Sequence, residues 1–144
     1  MLKEMGIAEP KRFEKQVKFL DSHPKVYLCG TWAKTIDENN KEIGEYKIPA
    51  ESSKIKRLML WHNPFIHPSV MFKREILGKI GYYSKKIKYA QDYEYWSRII
   101  KKFDGVNIPE FLIKYRILKS SMTRKSNLAM RWEGIKIRFN YIFS

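Results

Sequence analysis

The sequence predicts a mixed α/β fold, and three observations carry that expectation. Apolar residues recur at helical spacing in some segments and run together or alternate in others, so helices and strands interleave along the chain. Hydrophobic residues make up 44% and aromatics 15% of the 144 residues, enough for a packed core and too many for a disordered tail. Only a few strands are present, which is thin for a complete α/β domain, so the chain reads as one domain or a piece of one.

Taken in order, Pro10 suits the first turn of a helix running to about Ser22, with Phe13, Val17 and Leu20 on one face. His23-Pro24 ends it. Val26 to Ala33 reads as a buried strand in which Gly30 permits a close approach or a bulge. Asp37-Glu38-Asn39-Asn40 is a turn, Ile43 to Ile48 a weaker edge strand, and Pro49 closes it. Ser52 or Ser53 caps a short helix through Leu60, with Ile55, Leu58 and Met59 inward. Trp61 to Pro68 is a loop stiffened by two prolines, and a short strand follows from Ser69 to Phe72. Arg74 to Ile80 makes a two-turn helix ended by Gly81, and Tyr82 to Ala90 is loop. The next helix carries Trp96, Ile99, Ile100 and Phe103 at helical spacing and is stopped by Gly105. Val106 to Ile108 is a short strand, Phe111 to Ile117 a half-buried one that alternates, and a last helix spans Ser126 to Phe143. No internal repeat or low-complexity segment interrupts this order.

Charge and cysteine usage bound the function. The 29 basic and 15 acidic residues leave a formal charge of +14, which invites a polyanionic partner. The basic residues fall in twos and threes (Lys54, Lys56, Arg57; Lys85, Lys86, Lys88; Lys101, Lys102), the pattern of solvated surface, and no nucleic-acid reading motif accompanies them. Nucleic acid is therefore not the expected partner. Cys29, the single cysteine, reads as a small buried hydrophobe in a reducing compartment, with the cytoplasm as the default. No run approaches the roughly 20 apolar residues that span a bilayer, and Met1 to Gly6 lacks a signal-peptide core.

Asp92 stands out because it opens a helix. Its carboxylate is held ionised there by the helix dipole and by free backbone N–H groups. Beside a cleft it is a ready general base; otherwise it is a helix cap.

From Phe65 to Ser121 the motifs stand in a telling order. Ile66-His67-Pro68-Ser69 leads into Met71-Phe72-Lys73-Arg74-Glu75 and Gly81-Tyr82-Tyr83. Gln91-Asp92-Tyr93-Glu94-Tyr95-Trp96 follows, then Ile108-Pro109-Glu110 and Tyr115-Arg116-Ile117-Leu118-Lys119-Ser120-Ser121. This succession resembles the C-terminal half of family 2 glycosyltransferases, the inverting GT-A type. Upstream, Arg12-Phe13-Glu14-Lys15-Gln16 is similar to that family's helix after its metal-binding turn. The resemblance implies a partial GT-A fold that lacks the N-terminal nucleotide-binding strands, with residues 1–125 as its acceptor-side half.

The same resemblance implies that Asp92 deprotonates an acceptor hydroxyl attacking the anomeric carbon of a nucleotide sugar, with inversion. Trp96, one turn along, either lines the sugar pocket or is core. His67, at the end of a Pro-flanked loop, either meets acceptor or phosphate or is structural. Arg116 either contacts diphosphate or is ordinary surface. Gln91 stands where the family usually has Glu, and Leu118 where a His is frequent. No Asp precedes Arg12, so the Asp-x-Asp turn is missing. The chain offers no metal site of its own; Mg2+ or Mn2+ is expected only with the missing half. The implied partners are a nucleotide sugar, a glycan or lipid-linked acceptor, and a complementing chain or a second copy. The alternative is a non-catalytic module that binds a membrane or a protein.

The last helix, residues 126–144, adds a further expectation. Leu128, Trp132, Ile135, Phe139 and Ile142 form an apolar stripe, with Arg124, Lys125, Arg131, Lys136 and Arg138 around it. Such a helix either lies in an anionic membrane interface, making the chain peripheral to the membrane's inner face, or covers the core or a second subunit.

Overall fold

The computed structural model describes residues 6–118 and 128–144. Its elements are β1 (Gly6–Ala8), α1 (Arg12–Ser22), β2 (Val26–Ile36), β3 (Glu42–Tyr46) and α2 (Ser52–Leu58). A 3-10 turn (His67–Ser69), β4 (Met71–Phe72), α3 (Ile76–Ile80) and α4 (Gln91–Lys102) follow, then β5 (Asp104–Arg116) and α5 (Leu128–Phe143). The fold is mixed α/β, as the periodicities predict. Its sheet runs β1–β5–β2–β3, with β4 also paired to β2. Among the described residues only β2 and β5 pair in parallel; β1, β3 and β4 are antiparallel to their neighbours. A parallel pair needs a crossover, and α2, α3 and α4 supply it.

Several boundaries differ from the sequence reading, each for a physical reason. The two strands expected at 106–108 and 111–117 are one strand, β5, with irregular register against Thr31 to Ala33 around Pro109. Proline has no N–H for the ladder, so the strand is irregular there without breaking. The strand expected from Ser69 shrinks to Met71–Phe72 because Pro68 sits in the first turn of a 3-10 helix. Gly105 lies inside β5 and does not act as a helix stop. A β-carbon there would lie 2.2 Å from Ile100 Cδ1, so glycine lets α4 close down on the strand. β1 was not legible, being three residues with no pattern of their own.

β2 is buried along nearly its whole length, because both faces of the sheet are covered. On one face Leu28, Ile55, Met59, Phe65, Ile76, Trp96, Ile99 and Ile100 form the main core, joined by Ile137 of α5. On the other, Leu20 of α1 packs with Val26, Cys29, Ile108 and Leu112. The inner face of α1 is not the expected one. Arg12, Gln16 and Leu20 point inward, while Phe13 and Val17 are about half exposed. Gln16 is fully buried because its Nε2 donates to the Cys29 carbonyl at 3.2 Å and to that of Ser69 at 2.8 Å. Hydrogen bonding thus overrides apolar spacing here.

α5 also turns its apolar stripe away from the core. It docks through Ile137 and half-buried Glu133, Gly134, Arg138 and Tyr141, while Leu128, Trp132, Ile135, Phe139 and Ile142 all face solvent. The reading in which that stripe covers the core is thereby corrected. The helix start at Ser126, the 125/126 boundary, the Ser120-Ser121 turn and the basic residues Arg124 and Lys125 lie outside the described residues. No helix among the described residues is long and apolar enough to cross a membrane.

Candidate active site

A cleft of about 660 Å³ opens at one end of the parallel pair. Tyr46 of β3 and Tyr115 of β5 form one wall, and Phe65, Ile66, His67 and Pro68 form another. Tyr83, Lys88, Tyr89, Gln91 and Asp92 close it from the segment leading into α4.

The loop that carries His67 is pinned from several directions. Arg12 Nη1 donates to the Pro68 carbonyl at 2.8 Å, and Gln16 to that of Ser69. The Ser69 hydroxyl donates to Ile66 O at 2.7 Å and accepts from Thr31 N–H. Buried Asn107 donates from Nδ2 to the carbonyls of Pro49 and Pro64, tying the start of the same loop to β5. The loop is thus held by both central strands and by α1.

Asp92 sits in the first turn of α4 with its side chain 27% exposed. Its Oδ2 accepts from Asn63 Nδ2 at 2.9 Å, and Asn63 Oδ1 in turn accepts from Phe65 N–H at 3.1 Å. No donor among the described residues bonds to Oδ1. His67 Nδ1 stands 3.8 Å from Oδ2, across the mouth and beyond hydrogen-bond reach. Tyr83 and Tyr115 report the same charge from two sides. Burial raises both phenols above their ordinary range; Tyr95 adds to the shift at Tyr83 and Tyr46 to that at Tyr115, and Asp92 adds to both. One anchored oxygen and one open one make a positioned proton acceptor.

The predicted residues divide cleanly. Asp92, Gln91 and His67 meet at the cleft, Gln91 with its Nε2 donating to Ile87 O at 2.9 Å. Trp96 does not line it. It is 1% exposed in the core, because helical spacing points it at the sheet, with its ring centroid 6.1 Å from those of His67 and Tyr83. It supports two lining residues from below. Arg116 is also elsewhere: it follows Tyr115 on an alternating strand, so its side chain leaves the opposite face. Its Nη1 donates to Asp37 O at 2.9 Å and steadies the 37–40 turn.

Sequence reasoning missed Asn63 and the tyrosines at 46, 83, 89 and 115. The run of tyrosines between 82 and 95 was a usable signal; Asn63, between a His and a Pro, was not. Among the described residues no three His, Cys, Asp or Glu side chains gather. Asp92 and His67 alone are too few ligands for a divalent cation, so none of the described residues is assigned to one.

Comparison with known proteins finds sequences named as glycosyltransferases. The chain is 42% identical over 115 residues to an uncharacterized glycosyltransferase of Methanocaldococcus jannaschii, covering 77% of this chain and 39% of that protein. It is 35% identical over 131 residues to the amylovoran biosynthesis glycosyltransferase AmsE of Erwinia amylovora, covering 90% and 47%. The chain is homologous to glycosyltransferases. The O-antigen biosynthesis glycosyltransferase WbnJ of Escherichia coli is 33% identical over 126 residues, covering 85% and 48%. The chain thus spans about half the length of the curated relatives it matches. No family model matches it.

Proposed function

We propose that this chain is the C-terminal, acceptor-binding half of an inverting family 2 glycosyltransferase of the GT-A type, with Asp92 as its general base. The observation that carries this reading is the Asp92 carboxylate, anchored through Oδ2 by Asn63 and open through Oδ1 to the cleft. In the proposed step Oδ1 takes the proton of an acceptor hydroxyl. The acceptor oxygen bonds to the anomeric carbon, and the bond from that carbon to the nucleoside diphosphate breaks with its electron pair on the leaving group. In this reading Tyr83 and Tyr89, which line the cleft, offer aromatic faces to a sugar ring, and His67 holds an acceptor hydroxyl. The nucleotide site and any Mg2+ or Mn2+ belong to a complementing nucleotide-binding half. Two of the relatives are named for amylovoran and O-antigen biosynthesis. That supports a cell-envelope glycan or a lipid-linked acceptor as substrate, reached from the inner face of the membrane.

The test is Asp92→Asn, with sugar transfer measured in an assembly of this chain with a nucleotide-binding half. The expected loss is about 10²–10⁴-fold in turnover, with the circular dichroism spectrum unchanged. Full transfer by the Asn variant refutes the role. A chain that binds partner and membrane yet transfers no sugar in any assembly favours the non-catalytic module.

A further inference from the structure

α5 is built with two opposed faces. Ile137 and Tyr141 join the core, and Tyr141 Oη donates to Lys56 O at 3.2 Å. Directly opposite, Leu128, Trp132, Ile135, Phe139, Ile142 and Phe143 form one continuous solvent-facing strip, Trp132 and Phe139 each 61% exposed. By helical spacing Lys136 flanks this strip on one side and Arg131 and Arg138 on the other. The one acidic residue of the helix, Glu133, is turned to the protein. Its Oε1 accepts from Lys88 N–H at 2.8 Å, and its Oε2 from Tyr89 N–H at 2.8 Å and Ala90 N–H at 3.1 Å.

From this we infer that the exposed face of α5 seats the chain on an anionic lipid bilayer, with the acceptor cleft held at the lipid surface through Glu133. The apolar strip has the aromatic content of an interfacial helix, and its flanks carry the sign that anionic headgroups attract. A second copy is the poorer match, since it would bring two chains of formal charge +14 together with their basic flanks facing. Glu133 fixes the orientation. The backbone it grips belongs to Lys88 and Tyr89, whose side chains line the cleft, so the helix on the lipid and the wall of the cleft are one side chain apart. An acceptor anchored in the same bilayer would then reach Asp92 without leaving the surface. This last step rests on the proposed function; the lipid contact does not.

Flotation of the full chain tests the inference, using phosphatidylcholine vesicles with and without phosphatidylglycerol, at low and high salt. Binding is expected with the anionic vesicles, weakening as salt rises, and falling about tenfold or more in the Trp132→Asp, Phe139→Asp double variant. Both side chains stand in solvent, so the double variant should keep its circular dichroism spectrum. Asp92→Asn should float like the unaltered chain, which separates this result from the fate of the catalytic reading. No binding to anionic vesicles, or binding indifferent to the double substitution, overturns the inference. A dimer that dissociates in the double variant, with no flotation, overturns it in favour of a second copy.

Discussion

At Gly30 a β-carbon would lie 2.3 Å from Asn107 Oδ1, 3.2 Å from the Phe65 ring and 3.3 Å from Ser69 Oγ. Asn107 has little freedom to yield, because its Nδ2 donates to Pro49 O at 2.8 Å and Pro64 O at 3.0 Å. Gly30→Ala should therefore displace the loop from Asn63 to Ser69 and destabilise the chain by about 1–3 kcal/mol, measured by urea unfolding. An unchanged midpoint would mean that the packing around Asn107 is loose. The need for closeness at Gly30 was readable from a glycine inside an apolar strand; the identity of the neighbour it spares was not. Trp96 teaches the converse. Its spacing within the helix already placed it in the core, and spacing proved the better guide than the pocket role the resemblance implied.

At the scale of elements, amphipathic periodicity located the longer helices among the described residues, misjudged the face that α1 buries and left open the face that α5 buries. In α1 the paired carbonyls of Cys29 and Ser69 draw Gln16 inside and leave Phe13 and Val17 out. In α5 the docked face is chosen by Ile137, Tyr141 and the Glu133 clamp, a carboxylate on three successive backbone N–H groups that no local pattern announces. Burial opposes the charge on Glu133, yet those three donors and nearby Lys136 hold its carboxyl below the ordinary value. A depressed folded value stabilises the clamp above the unfolded glutamate value of about 4.3 and loses that contribution as pH falls through the folded one. Hydrogen exchange at Lys88, Tyr89 and Ala90, corrected for intrinsic rates, should accordingly speed up on acidification below about pH 4. Glu133→Ala should show the fast exchange already at neutral pH. Protection unaffected by that variant would show that the segment is held by something else.

For the molecule as a whole, Cys29 is the natural reporter. It lies on the central strand beneath α1, and burial pushes its thiol from 9.0 up to about 11, against the opposing effects of the Gln16 hydrogen bond and the Arg12 charge. Because the folded state holds this proton the more tightly, the group's contribution is present below the unfolded thiol value and is lost as pH rises through the folded one. Near pH 8 the native chain should resist alkylation, and labelling should follow global opening as urea is added. Rapid labelling without urea would show that α1 detaches from the sheet on its own.

The parallel pairing of β2 with β5 has a consequence for how the chain comes to be made. Its two strands lie far apart in sequence, and loop closure over so long an interval is slow. A nascent chain on the ribosome must therefore hold one edge of Val26 to Ile36 unpaired until Asp104 to Arg116 has emerged, even where β3 and β4 already cover the other. Throughout that interval an apolar strand with an open edge is exposed, the kind of surface to which chaperones bind.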